Sequence, residues 1–200
     1  MKKTVLVVFL LAAFAAAGHA QESRQDISLS GNAIIEPFIA SSTDVYVHST
    51  TAEGGLLSYR FMLTPTTALE VNYGITYLNR INLYKIPNDY DIHLRTQEIS
   101  GAFVRSFVYK NWNPFVEAGP SGIIFLPIRN SGTHTLDAKQ QTAVGALYGA
   151  GFAYEISPSF DIRAEYRGLV TKVPTLDVPG MNTNKWWNMF EPAVGVAYHF

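Results

Sequence analysis

Along most of this chain apolar and polar residues alternate with a period of two. From Phe190 to the C-terminus, Phe190, Pro192, Val194, Val196, Tyr198 and Phe200 fall on one face, and Glu191, Ala193, Gly195, Ala197 and His199 on the other. That is the length a tilted strand needs to cross a bilayer, roughly 9–11 residues. The preceding segment repeats the pattern. Phe160, Ile162, Ala164, Tyr166, Gly168 and Val170 share one face, while Asp161, Arg163, Glu165 and Arg167 share the other. A charge ladder opposed to apolar neighbours residue by residue fits neither a helix nor a strand buried on both sides.

Six further strands follow the same rule. The first puts Ile27, Leu29, Gly31, Ala33 and Ile35 out, and Ser28, Ser30, Asn32 and Glu36 in. The second puts Leu57, Tyr59, Phe61 and Leu63 out, and Ser58 and Arg60 in. The third puts Leu69, Val71, Tyr73, Ile75 and Tyr77 out, and Glu70, Asn72, Gly74 and Thr76 in. The fourth puts Ile99, Gly101 and Phe103 out, and Glu98, Ser100 and Ala102 in, which turns Arg105 outward, where it is expected to snorkel to the interface. The fifth has Val116, Ala118 and Ile124 out, and Glu117, Gly119 and Ser121 in. Pro120 donates no ladder bond, so a bulge is expected there. The sixth has Val144, Ala146, Tyr148, Ala150, Phe152 and Tyr154 out, and Gly145, Gly149, Gly151 and Glu155 in.

The connections alternate in length. Short links rich in turn residues fall at 64–67, 110–113 and 157–159, and long ones at roughly 37–54, 79–92, 127–139 and 171–186. Short turns at one end and long loops at the other describe an up-and-down barrel of eight antiparallel strands. No linker or second domain interrupts residues 21–200.

The N-terminus reads as an export signal. Lys2 and Lys3 precede an apolar run from Val5 to Ala17, and Gly18-His19-Ala20 offers small residues for cleavage after Ala20. No later apolar run is long enough for a spanning helix, and a helix-free chain that spans lipid must close its sheet. The net charge of −1, about −3 once Lys2 and Lys3 are removed, gives no reason to expect nucleic acid. The absence of cysteine excludes disulfides, thiol nucleophiles and cysteine zinc sites.

A soluble barrel with its apolar face inward shares the alternation. Composition opposes it. A water-facing wall carries many lysines, whereas Lys85, Lys110, Lys139, Lys172 and Lys185 all fall in loops, turns or strand ends. Aromatics sit near strand ends on the apolar face: Tyr77, Phe107, Tyr154, Phe160, Trp186, Phe190, Tyr198 and Phe200, as interfacial girdles do.

The ending Val194-Gly195-Val196-Ala197-Tyr198-His199-Phe200 resembles the C-terminal assembly signal of bacterial outer-membrane barrels. Segments 55–61, 114–119 and 161–167 resemble strands of the small OmpA/OmpX-type barrels, and the likeness extends over the whole mature chain. The resemblance implies a bacterial outer-membrane location. It also implies outer-membrane lipid and lipopolysaccharide as surroundings, and periplasmic chaperones and the barrel-assembly machinery as partners that read Val194, Val196, Tyr198 and Phe200. No peptidoglycan-binding role is expected of a chain ending at Phe200.

An eight-stranded barrel is just wide enough for side chains to fill it. Arg60, Arg163 and Arg167 are therefore expected to pair among Glu70, Glu98, Glu117, Glu165 and Glu191, since unpaired buried charge is costly. Glu36, Glu155 and Asp161 join the inward set. Such a network seals the lumen. Its alternative is a gate, an arginine that changes partners and opens a narrow path for small solutes or cations. Catalysis is not expected. Asp44, His48 and Ser49 lie in the first loop, with His93 and His134 in or beside the next two, and none shows triad or metal spacing. No cofactor and no metal is expected, and lipid A modification is a minor alternative. Apolar loop residues, among them Tyr46, Val47, Leu83, Tyr84, Ile86, Tyr90, Val173, Leu176, Val178 and Met181, either contact an extracellular ligand or cover the mouth. The expectation is an integral outer-membrane barrel with a structural or surface-interaction role.

Overall fold

The computed structural model describes residues 24–37, 39–40, 46–49, 51–84, 90–128, 138–177 and 184–200. The expected signal segment lies outside them. Eight long strands form the wall: β1 (Gln25–Ile34), β4 (Ala52–Thr64), β5 (Thr67–Tyr84), β6 (Tyr90–Ser106), β7 (Trp112–Pro127), β8 (Gln141–Ser157), β9 (Phe160–Lys172) and β10 (Trp186–His199). Two short strands, β2 (Ile39–Ala40) and β3 (Tyr46–Ser49), follow β1. Each long strand pairs antiparallel with its neighbours. The β1–β10 and β5–β6 ladders complete the ring, so the expected eight-stranded antiparallel barrel is closed. Closure is what hydrocarbon demands, because lipid offers no partner to an unpaired backbone N–H or carbonyl.

The faces follow the parity of the sequence. Leu29, Val71, Ile99, Val144 and Val194 are exposed on the outside, and Ser28, Arg60, Glu70, Glu117, Arg163 and Arg167 are buried inside. Arg105 is exposed and pairs with Thr67, next to the Pro65-Thr66 turn at the short-turn end. That end is called lower here, and the long-connection end upper. Below, Trp112 packs at 4.9 Å on Tyr154 and Tyr198 at 5.1 Å on Phe160 (ring centroids). Above, the Lys172 ammonium lies 5.9 Å from the Trp186 ring. These are the amphipathic rings and snorkelling cations that membrane interfaces favour.

Two expectations about the wall are corrected. No bulge forms at Pro120. The β6–β7 ladder omits the Gly101–Pro120 and Ala102–Gly119 pairs and resumes at Phe103↔Ala118 in unchanged register, while Pro120↔Ala146 holds on the β8 side. Gly119 lets β6 come close. A Cβ there would strike the Gly101 carbonyl, so the strands hold register without an extra residue. Register shifts occur instead at Met62/Thr64, Thr76/Asn79 and Glu155/Ser157.

The long connections are also more ordered than expected. The predicted loop 79–92 is largely strand. β5 runs to Tyr84 and β6 starts at Tyr90, paired through Leu83↔Tyr90, and β3 pairs onto β5 from Tyr46↔Tyr84 to Ser49↔Ile81. Asn79, Arg80, Asn82 and Asp91 read as loop because they break the apolar alternation. Ladder bonds do not need that alternation once a hairpin has left the lipid.

Gly119→Val should therefore force β6 from β7 and destabilise the barrel by about 1–3 kcal/mol or block folding. Urea unfolding in lipid, followed by the heat-sensitive shift in gel mobility, measures it.

Candidate functional site in the barrel lumen

Inward parity on eight strands brings the predicted charges into one column. At the lower mouth the His199 ring nitrogen Nε2 lies 2.8 Å from Asp161, and Arg163 Nη2 lies 3.0 Å from Asp26 while Nη1 donates to Ser28 at 3.3 Å. Asp26, Asp161, Arg163 and His199 border a cavity of about 100 Å³. Above it Arg60 grips Glu70, with Nη2 at 2.6 Å and Nε donating at 2.7 Å, and Arg163 reaches the same carboxylate at 3.7 Å. The Arg60 guanidinium stands 4.7 Å from the centre of the Phe115 ring, a cation–π contact inside the barrel.

The next layer centres on Arg167. Its Nη2 donates to Glu98 at 2.6 Å and to Ser100 at 3.2 Å, and its Nη1 donates to Glu191 at 2.6 Å. Its Nε lies 3.6 Å from Glu117. Asn32 Nδ2 donates to Glu191, and Ser100 donates to Glu98 at 2.7 Å. One fully buried guanidinium thus ties β9 to β6, β7 and β10. Two of these strands do not adjoin β9, so the contact spans the lumen.

Arg60, Glu70, Glu98, Glu117, Arg163, Arg167 and Glu191 all meet in these pairs. Glu165 lines the same interior but forms no ion pair among the described residues. The sequence reading missed Asp26, Asn32, Ser28 and Ser100 as partners. Asp26 has the parity of Ser28, and counting one pair below Ile27 reveals it.

The lumen is not polar throughout, which corrects the expectation of a polar filling. Above Arg167 the filling is mainly apolar: Ile34, Leu94, Ile123, Phe125, Leu147, Leu169, Trp187 and Met189 are all buried, with Glu36, Thr76, Thr96 and Thr171 buried among them. Trp187 stacks on Phe125 with centroids 6.5 Å apart, and its Nε1 donates to the Pro37 carbonyl at 3.0 Å. Residues 173–177 fold over this layer as a strap. Gln141 Oε1 accepts from the Thr175 and Leu176 amides at 2.8 and 2.9 Å and from Thr175 Oγ1 at 3.1 Å. Lys139 donates to Asp177 at 2.5 Å. Leu176 and Asp177 carry positive φ of 48° and 59°, a backbone state that non-glycine residues hold only when their surroundings enforce it. Val173 and Leu176, read as loop contacts, are buried in this cap.

The remaining candidates are scattered. His48 and Ser49 are in β3, and His93 is on β6 opposite Arg80. Asp44, Ile86, His134, Val178 and Met181 lie outside the described residues. Val194, Val196 and Tyr198 face outward on the terminal strand, with Tyr198 stacked at 6.1 Å on Phe200.

A family model described as outer membrane protein beta-barrel domain matches residues 6–200. The chain belongs to that family. The family assignment agrees with the lipid-facing belt and places the barrel in the bacterial outer membrane. Its sequence matches no curated protein. Solved barrels share the fold. OprG from Pseudomonas aeruginosa has a TM-score of 0.66 at 12% identity, over 90% of this chain and 98% of that one. Neisserial surface protein A has 0.61 at 17%, over 89% and 98%. Ail, the attachment invasion locus protein of Yersinia pestis, has 0.53 at 15%, over 90% and 100%.

Removing the guanidinium at 167 strands Glu98, Glu117 and Glu191 without their shared counter-charge. Arg167→Met should cost about 3–5 kcal/mol of unfolding free energy in lipid. The strap should respond to acid. The Lys139 ammonium holds the Asp177 carboxyl below its usual pKa, so the pair is intact above the ordinary aspartate range and is lost as pH falls beneath it. Protection of the Lys139 amide against hydrogen exchange relative to its intrinsic rate, with its N–H bonded to the Leu176 carbonyl at 2.9 Å, should fall under acid in the wild type, and Asp177→Asn should remove that pH dependence of the protection.

Proposed function

We propose that this outer-membrane barrel works as a sealed wall element whose active surface is its upper, extracellular end, in a structural or surface-interaction role. The observation that carries this reading is double occlusion of the lumen. The Arg167 layer bridges it with charge, and the Trp187–Phe125 layer with its strap closes it above with apolar side chains. A gated pore would need Arg167 to release Glu98 and Glu191 and the apolar layer to part as well, which makes two barriers in series. The extension built from β3, β5 and β6 supports the surface role, since it carries ordered backbone beyond the bilayer. On this reading Tyr46, Val47, Leu83, Tyr84 and Tyr90 contribute to contact with an extracellular ligand or with lipopolysaccharide.

The outward row Val194, Val196, Tyr198 and Phe200 serves as the strip read by periplasmic chaperones and the barrel-assembly machinery. Its support is position: β10 is the terminal strand and completes the seam with β1.

Planar-bilayer recordings of the refolded protein test the sealed lumen. The wild type should give no resolved conductance steps. The double variant Arg167→Ala with Trp187→Ala, if it inserts, should give small ones. Reproducible steps in the wild type would return the pore to first place.

A further inference from the structure

Polar side chains on a lipid-facing wall are costly, and the upper part of the β8–β10 wall carries a group of them. The outward row of β10 runs upward through Phe190, Asn188 and Trp186. Val170 on β9 pairs with Asn188, and Lys172 pairs with Trp186. Asn188 interrupts an apolar row, and its partner comes from β8. Tyr148 lies across β9, where a Cβ on Gly168 would strike its ring. Its hydroxyl meets the Asn188 amide at 2.9 Å from Nδ2 and 3.2 Å from Oδ1. Nδ2 carries two N–H groups, and the hydroxyl engages one. The other has no hydrogen-bond partner among the described residues.

One row higher, Lys172 and Trp186 are exposed, and Lys172 forms no ion pair among the described residues. The Val173 amide donates to the Lys185 carbonyl at 3.1 Å, which extends the pairing just above this row. Between Arg167 and Glu191 the charged residues of the chain are Lys172, Asp177 and Lys185, and Asp177 is engaged by Lys139. The surplus here is positive. The upper end of the β4–β5 wall instead carries the carboxylate of Glu53, opposite Tyr77.

We propose that this patch binds the phosphorylated glucosamine head of lipopolysaccharide. Lys172 receives the phosphate, Trp186 lies against the sugar face, and Asn188 donates to the carbonyl of an acyl amide. The inference rests on the reading of the upper end as extracellular and deepens it by naming a site. Each group selects a part of this occupant. An unpaired ammonium at the interface calls for an anion. A flat exposed indole offers its face to sugar C–H groups. The amide donor lies two residues deeper, about 7 Å along the strand, a step that one sugar ring bridges. A glycerophospholipid supplies a phosphate but no ring for Trp186, and a zwitterionic head brings its own cation against Lys172.

The test places the full barrel in phosphatidylcholine nanodiscs with a rising fraction of deep-rough lipopolysaccharide and follows backbone amide shifts by NMR. Saturable shifts are expected at Val170, Lys172, Trp186 and Asn188, with Gly31, Gly55 and Val71 unmoved. Lys172→Gln should raise the midpoint about tenfold, and Lys172→Arg should restore it. Removing the lipid phosphates should raise the wild-type midpoint as much and leave that of Lys172→Gln unchanged. Equal saturation with phosphatidylglycerol, or an unchanged midpoint in Lys172→Gln, would overturn the proposal. Saturable shifts confined to the β5–β6 hairpin, at Leu83 and Tyr90, would overturn this site and keep contact with lipopolysaccharide. No saturable shift at any residue would remove both.

Discussion

A strand in hydrocarbon has no water to satisfy its peptide groups, and this demand shapes the whole molecule. It requires β1 to find β10 and the ring to close, so every strand acquires one face toward lipid and one toward a narrow interior. Parity then assigns each residue its solvent. Apolar side chains on the outer face need no partner, and polar ones on the inner face must find theirs across a lumen about one side chain wide.

The interior resolves its charges by layering. Arg163 and Arg60 share Glu70, and Arg167 holds Glu98 and Glu191 with Glu117 at a longer distance. Carboxyls outnumber guanidiniums in this column, so hydroxyl and amide donors matter. Ser100 and Asn32 supply hydrogen bonds that the arginines cannot. Above them the filling turns mainly apolar, and the strap over it is held by polar bonds at the surface. Charge below and hydrocarbon above oppose passage by different means, since the first must exchange ion pairs and the second must be wetted.

The sequence was legible wherever chemistry alternated with geometry. The Asp161–Arg167 ladder and the Phe190–Phe200 strand declared both faces at once, and the structure keeps those faces. It was less legible where both faces share a chemistry. Leu94, Ile123, Phe125, Leu147 and Trp187 point inward with the right parity, yet they are as apolar as their outward neighbours, so the alternation that marks a strand fades there. Trp187 was accessible by extending the parity of Glu191 upward. Partner choice was not. Arg167 meets Glu98 across the barrel, on strands that do not adjoin, and that match depends on strand stagger rather than on sequence distance. The hairpin beyond Tyr77 was hidden for a related reason, because polar residues outside the lipid look like loop while their backbones remain paired.

Everything rests on which solvent each face meets. The chain has no cysteine, so single cysteines can be placed along β5 from Leu69 to Thr76 and spin-labelled in the lipid-embedded protein. Collisional relaxation by oxygen, which concentrates in the bilayer, reads the environment at each step. The account predicts high oxygen accessibility at 69, 71, 73 and 75 and low accessibility at 70, 72, 74 and 76, a period of two with no drift. Uniform accessibility, or high access to a water-soluble nickel reagent at 71 and 73, would contradict it.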